Sequence, residues 1–312
     1  MSVTEHASRR PASGKDDTAA IDVCVCTYRR PAVTEALRSI ALQTAGARPI
    51  RIVVADNAAQ PTAQALVAQT ARETGLDVVY VHAPANNISI ARNACLDAAN
   101  GEWLAFLDDD EIASPGWLNG LIGEAERGQW DAVLGPVQAV YSDNTPAWVR
   151  TGNFHSTRPV FVRGHIRTGY TGNVLIRRAS IGTLRFRTEL GRTGGEDEDF
   201  FNRLHDAGGR IGYAPDALAY EAIPPDRATL KWLIRRSFRT GQTYGAGLRG
   251  RSRSAFARSR EMLVAAAKAG LCGMGALTHL PLVTRRNRFL TRAALHCGVV
   301  ARLAGMGEVK LY

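Results

Sequence analysis

Several of the marks that identify common nucleotide-using and metal-using enzymes are missing from this chain. No G-x-G-x-x-G follows the first apolar run, which argues against a dinucleotide-binding dehydrogenase. There is no P-loop and no G-x-S-x-G elbow, so neither a P-loop nucleotidase nor an α/β-hydrolase is indicated. The seven histidines form no H-E-x-x-H or similar spacing, and each reads as a surface or packed residue. Five cysteines, at 24, 26, 95, 272 and 297, are odd in number and lack C-x-x-C pairs. That excludes a disulfide framework or zinc ribbon and fits a reduced, cytosolic protein, with Cys24 and Cys26 on one face of a core strand. The first twenty residues carry Arg9, Arg10 and Lys15 but no apolar segment, so residues 1–20 read as a disordered leader rather than a signal peptide.

Acidic residues are scarce in the tail. From Arg227 onward lie 17 of the 39 basic residues but only two of the 29 acids, Glu261 and Glu308. The body is therefore mildly acidic and the tail strongly basic, a distribution that attracts anionic lipid, nucleic acid or phosphorylated substrates. With 312 residues, 45% of them hydrophobic, the chain can build one large α/β domain or two smaller ones.

The most informative stretch is Trp103 to Glu111, WLAFLDDDE, an apolar run that reads as a buried strand stopping in a row of carboxylates. In an extended chain Asp108 and Asp110 point one way and Asp109 the other. Together with Glu111 they offer hard oxygen ligands to a divalent cation, although a solvated acidic turn has the same composition. Before this stretch the pattern alternates. Strands are expected at Ile21 to Tyr28, Ile50 to Ala55 and Asp77 to His82, with helices after Pro31, from Pro61 to Thr74, and from Ser89 to Ala99. Such alternation predicts a mostly parallel sheet flanked by helices. After it come a strand over Asp131 to Tyr141, a long loop over Ser142 to Thr168 and a strand over Gly169 to Arg177. A glycine-rich loop then leads into the acid-headed helix of Glu196 to Asp199, which also reads simply as a well-capped helix. The tail holds an apolar stretch, Met262 to Val283, interrupted by Lys268, His279 and Pro281. It suits an element lying in a membrane interface better than a span, and a helical subdomain packed on the enzyme is the alternative.

Two acidic clusters on one α/β scaffold suggest a reaction. Asp108 to Asp110 can hold Mg²⁺ or Mn²⁺ against a diphosphate, and a carboxylate of Glu196 to Asp199 can take the proton of an attacking hydroxyl. Asp56, at the end of the second strand, can accept from the N–H of a nucleobase.

The segments CVCTYRRP, VVADN, NISIARN, FLDDDE, GNVLIRR and GEDEDFF, in this order over Ile21 to Gly241, resemble the inverting family 2 glycosyltransferases. More narrowly, the chain resembles their bacterial exopolysaccharide branch, the succinoglycan-type glucosyltransferases. It implies a GT-A type fold: a Rossmann-like mixed, mostly parallel sheet in residues 21–228, with a helical, membrane-associating extension in 229–312. It implies a nucleotide-diphosphate sugar donor, a saccharide acceptor that is lipid-linked, Mg²⁺ or Mn²⁺, and work at the cytoplasmic face of the plasma membrane. Carried onto this sequence, Thr27, Arg29, Asp56, Arg92, Asp108 and Asp109 are expected to meet the donor. Asp110, Asp108 and Glu221 are expected to meet the metal, and Asp197 is the expected general base. Glu196, Asp199, Trp232, Arg235, Arg236 and Arg239 are expected near the acceptor or diphosphate. Relatives often carry histidine where Glu221 stands, and the Q-x-x-R-W of processive synthases is absent, which implies one sugar or few per encounter. The alternatives are a sugar-phosphate nucleotidyltransferase, which lacks its glycine-rich triphosphate loop here, and a nucleic-acid-binding protein using the arginine-rich tail.

Overall fold

A computed structural model describes residues 20–251, 254–307 and 309, so the expected leader lies, but for Ala20, outside the described residues. In order they form β1 Ile21–Thr27, α1 Val33–Ala41, β2 Ile50–Asp56, α2 Gln64–Thr74, β3 Val78–His82, α3 Ile88–Ala98, β4 Trp103–Leu107, β5 Glu111–Ala113 and α4 Trp117–Gly128. Then follow β6 Ala132–Leu134, β7 Val137–Val140, α5 Ala147–Gly152, β8 Phe161–Val162, β9 His165–Ile166, β10 Asn173–Arg177 and α6 Arg178–Ile181. The chain closes with α7 Glu196–Asp206, β11 Ile211–Tyr213, β12 Ala219–Ala222, α8 Leu230–Arg251, α9 Ala255–Thr278 and α10 Val283–Leu303.

Seven strands form the main sheet in the order β11-β6-β10-β4-β1-β2-β3. β1 pairs in parallel with both β2 and β4, and β10 runs antiparallel between β4 and β6. The sheet is therefore mixed and mostly parallel, as expected. β1 and β4 are buried along their whole length, because helices cover both faces. Alternate residues feed two cores. Val23, Val25 and Ala105 join the layer of α1 and α4, while Cys24, Cys26 and Phe106 join that of α3 and α7. Chain direction around the sheet reverses at β1, whose successor β2 lies on one side and β4 on the other. That is the switch point where an open α/β sheet leaves a crevice beyond the strand ends.

Two expected strands are shorter than the sequence suggests. The run Asp131 to Tyr141 splits into β6 and β7, which belong to different sheets. Pro136 lacks an N–H for the ladder, and a side chain at Gly135 would run into the Ala217 carbonyl and the Asn173 amide. Gly169 to Gly172 precedes β10 without joining a ladder. β5, β12 and β7 make a second, small sheet that puts Glu221 directly opposite Glu111. The expected loop over Ser142 to Thr168 contains α5 and the β8–β9 hairpin.

The tail is helical, as expected, but its apolar stretch is not one element. α9 ends at Thr278, and a turn through Pro281 leads into α10. α9 is long and apolar enough to cross a membrane, and it leaves Leu263, Leu271, Met274 and Leu277 exposed. α8 and α10 cross closely because Gly241 lies on the Leu295 carbonyl and Gly298 on the Phe238 carbonyl, where a Cβ would overlap backbone. Gly298→Ala is therefore expected to cost about 1–3 kcal/mol in thermal unfolding. Gly270→Ala, at an open position on α9, is expected to cost nothing.

Candidate active site

The carboxylates collect at the carboxyl ends of β1 and β4. After Leu107 the chain leaves the strand and turns through Asp109 and Asp110. Asp109 points back and is buried, accepting from Thr27 Oγ1 at 2.7 Å and from Arg30 Nη1 at 3.0 Å. Asp108 and Asp110 face an open cavity of about 250 Å³, which Glu111, Gly172, Asp197 and Glu221 also line. Arg30, Arg227 and Arg236 complete its wall, and Arg30 also pairs with Asp110. A cleft of about 530 Å³ opens at the other end of β4, between Glu102, Leu104 and Arg178. It gathers no second carboxylate, whereas five line the smaller cavity.

Arg92 joins the two acidic clusters. Asn87 caps α3 through the Ile90 N–H, which fixes the first turn of the helix and sends Arg92 inward. Its buried guanidinium donates to Glu196 Oε1 at 2.6 Å and to Asp197 Oδ1, and Asp108 Oδ1 lies 3.9 Å away. Glu196 and Asp197 occupy the first turn of α7, where free N–H groups favour negative charge. Gly195 supplies the left-handed turn before it, with φ of 89°. Asp197 also accepts from Thr171 Oγ1 at 3.1 Å and from the Thr171 N–H at 3.3 Å. The N–H left without a ladder before β10 therefore serves the acid.

Crowding sets the electrostatics. Asp108 opens 42% of its side chain to the cavity it shares with Asp110, Glu111 and Glu221. Burial pushes its carboxyl up to about 7, with Asp110, Asp109 and Glu221 adding to the rise and Arg92 opposing it. Burial and Asp108 hold Glu111 well above the carboxylate range, and burial with Asp110 raises Glu221. Glu196 is raised by burial and Asp197, against Arg92. One of its oxygens, Oε2, is buried without a partner among the described residues.

The expected residues do not all reach the cavity. Asp56 is fully buried and accepts from the Ala58 and Ala63 N–H groups and the Tyr80 hydroxyl, so it braces the loop after β2 and does not line this cavity. Arg29 is exposed beside the Tyr28 ring with φ of 55°, and the next residue, Arg30, takes the place at the carboxylates. Asp199 is held by Arg187 and Arg203, away from the acid cluster. Trp232 stacks on His155 with ring centroids 5.3 Å apart and carries Arg236 at 5.3 Å, so it positions that arginine. Arg235 is exposed outside the cavity, and the buried Arg239 closes on Gly194 of the glycine-rich loop. Glu221 does line the cavity, 3.5 Å from Arg227. Sequence reasoning missed Arg30, Thr171 and Arg227. Only Arg30 had a signal, its place in the turn after the first strand.

No three His, Cys, Asp or Glu among the described residues stand close enough to hold a metal ion as they are. The donor set nevertheless fits a hard cation. It is all carboxylate, its charges repel one another, and Gly172 leaves space that a Cβ, 2.6 Å from Glu111 Oε1, would fill.

The family model described as Glycosyl transferase family 2 matches residues 22–185. The succinoglycan biosynthesis protein ExoM of Rhizobium meliloti (strain 1021) is 48% identical over 300 residues, which cover 95% of this chain and 97% of that protein. Among solved structures, the mannosyltransferase PcManGT from Pyrobaculum calidifontis, in complex with GDP-Man and Mn²⁺, has a similar fold. Its TM-score is 0.59 at 20% identity, covering 93% of this chain and 90% of that one. S. aureus TarS 1-349 in complex with UDP-GlcNAc gives 0.52 at 15% identity, with 92% of each chain covered.

Proposed function

Because the chain belongs to glycosyl transferase family 2, we propose that it moves one sugar from a nucleoside-diphosphate sugar to a hydroxyl of a lipid-linked saccharide, with inversion, in cell-surface polysaccharide synthesis. The observation that carries this reading is the meeting of Asp197 with Asp108 and Asp110 across one cavity. Asp197 takes the proton as the acceptor oxygen bonds to the anomeric carbon, and the bond from that carbon to the diphosphate breaks on the opposite side. One displacement inverts the centre. Arg92 and Thr171 hold the Asp197 carboxylate in place, while Arg227 and Arg236 offer positive charge to the diphosphate. Asp110, Asp108 and Glu221 would hold Mg²⁺ or Mn²⁺, which when bound neutralises charge on the departing diphosphate. The similarity to ExoM, whose printed name places it in succinoglycan biosynthesis, supports the polysaccharide assignment, and the GDP-Man and UDP-GlcNAc complexes of structural neighbours support the donor class.

Calorimetry with UDP, GDP and dTDP is expected to find one that binds only with Mn²⁺, and Asp110→Asn is expected to weaken that binding tenfold or more. Lowering the pH from 8 to 6 is expected to weaken it too. With its carboxyl raised from the ordinary 3.8 to about 7, Asp108 takes up a proton in that interval and competes with the cation. Metal-independent binding of all three would remove the cation from the reading.

The basic tail and the exposed apolar residues of α9 support attachment at the cytoplasmic face of the membrane. An alkaline carbonate wash is expected to release an interfacial protein. Retention in the pellet would mean that α9 spans the bilayer.

A further inference from the structure

The hairpin between the second small-sheet strand and β10 carries side chains that sugar transfer does not use. Val160, Phe161 and Val162 are 64%, 56% and 44% exposed. Arg158, Arg163 and Arg167, also exposed, surround them. Single exposed apolar residues are ordinary, but three in a row at a projecting tip call for a partner.

This tip is held in a fixed shape. Arg163 and Gly164 turn it with φ of 53° and 82°, the handedness a two-residue hairpin loop needs. Ile166 is buried in the core beneath it, and the Phe161 ring meets Tyr213 edge-on at 6.1 Å. At the hairpin base, Thr157 and Val137 exchange both backbone hydrogen bonds, at 2.8 and 3.0 Å. Both residues line the catalytic cavity. The apolar tip is therefore joined through its base to the cavity wall.

Charge selects the partner. From Asn144 to Thr188 the sequence has eight arginines and no acid. Arg158, Arg163 and Arg167 make no salt bridge among the described residues. Apolar side chains between free guanidinium groups match the boundary of an anionic bilayer, where the first enter the acyl region and the second meet headgroup phosphates. A nucleic acid or an acidic saccharide would engage the arginines and leave Val160 to Val162 in water.

We propose that the hairpin tip Val160 to Val162 inserts into an anionic lipid surface and lays the cavity mouth against it, so that a lipid-linked acceptor reaches Asp197 without leaving the membrane. This rests on the acceptor reading above and adds a contact separate from the C-terminal helices.

The test uses the full-length protein with Phe161→Trp and vesicles of phosphatidylglycerol and phosphatidylcholine carrying brominated acyl chains. The five native tryptophans are subtracted through the parent protein. The added emission is expected to shift to the blue and to be quenched. Val160→Asp with Phe161→Asp is expected to reduce co-sedimentation with these vesicles about tenfold, leaving UDP and GDP binding unchanged. If that variant fails to fold, Arg158→Gln with Arg163→Gln replaces it and is expected to lose vesicle binding only where phosphatidylglycerol is present. An unquenched indole at position 161 in protein that still pellets with vesicles would overturn this proposal alone. A parent protein that binds no vesicle would overturn it together with the membrane reading. A self-association or DNA binding abolished by the aspartate variant, with vesicle binding intact, would reassign the tip and overturn it as well.

Discussion

Replacing Asp197 by Asn is expected to lower the rate of sugar transfer by about 10²–10⁴, the range a positioned general base contributes. The amide keeps the volume of the carboxylate, and its one oxygen can still accept from Arg92 and the Thr171 hydroxyl, so only the bond from the Thr171 N–H is lost and the N-terminal turn of α7 stays in place. What it loses is the ability to take the acceptor proton. The fall should therefore appear in kcat, with nucleotide binding by calorimetry unchanged and thermal unfolding within a degree or two of the parent. Glu196→Gln is the control. It sits one residue away on the same turn, also pairs with Arg92, and is 6% exposed, so it has almost no face toward an acceptor. Equal losses from both substitutions would show that the acid pair only holds Arg92, and Asp197 would not be the base.

Arg92→Met is expected to have the largest effect on stability, about 3–5 kcal/mol, because removing one partner of a buried ion pair strands the others. Three acids depend on this guanidinium: Glu196, Asp197 and Asp108. Burial already raises Glu196 and Asp108, and Arg92 is the group that opposes the rise. Without it, two carboxylates on neighbouring residues of α7 face each other with only helix N–H groups and Thr171 to compensate. Thermal unfolding should show the loss directly, and its sign gives a further check. Carboxyls whose folded values rise above the ordinary range bind protons more readily in the folded state, so the variant should recover stability as the pH is lowered toward 5. Adding Glu196→Gln should restore part of the loss at pH 8, since the double change removes a stranded charge. A single variant as stable as the parent would mean that water, and not Arg92, balances these acids.

The sequence alone was enough for the architecture and for the run of acids at the end of β4. Alternation of strand and helix patterns up to Leu107 placed all seven of the first elements, because a parallel sheet buried on both faces demands unbroken apolar runs. The carboxylates after β4 marked the site, because a buried strand that ends in three acids must release them at the edge of the sheet. Elsewhere the pattern was silent or misleading. Asp56 looks like a free acid at a strand end, and only the fold wraps the loop of Ala58 to Ala63 and Tyr80 around it. Arg29 and Arg30 are adjacent and identical in composition, and the left-handed backbone at Arg29 decides which of them reaches the acids.

What the sequence by itself determined is a family 2 α/β enzyme with two acidic clusters and a basic helical tail, since periodicity, motif order and charge are properties of the chain in one dimension. Only the tertiary structure decided that Arg92, more than 100 residues before Glu196 and Asp197, ties those clusters together. It also decided that Glu221 faces Glu111 across a strand pair, and that an apolar hairpin stands beside the cavity. Those are pairings between distant segments, and they form because burying charge and closing backbone hydrogen bonds in three dimensions leave each side chain few places to go.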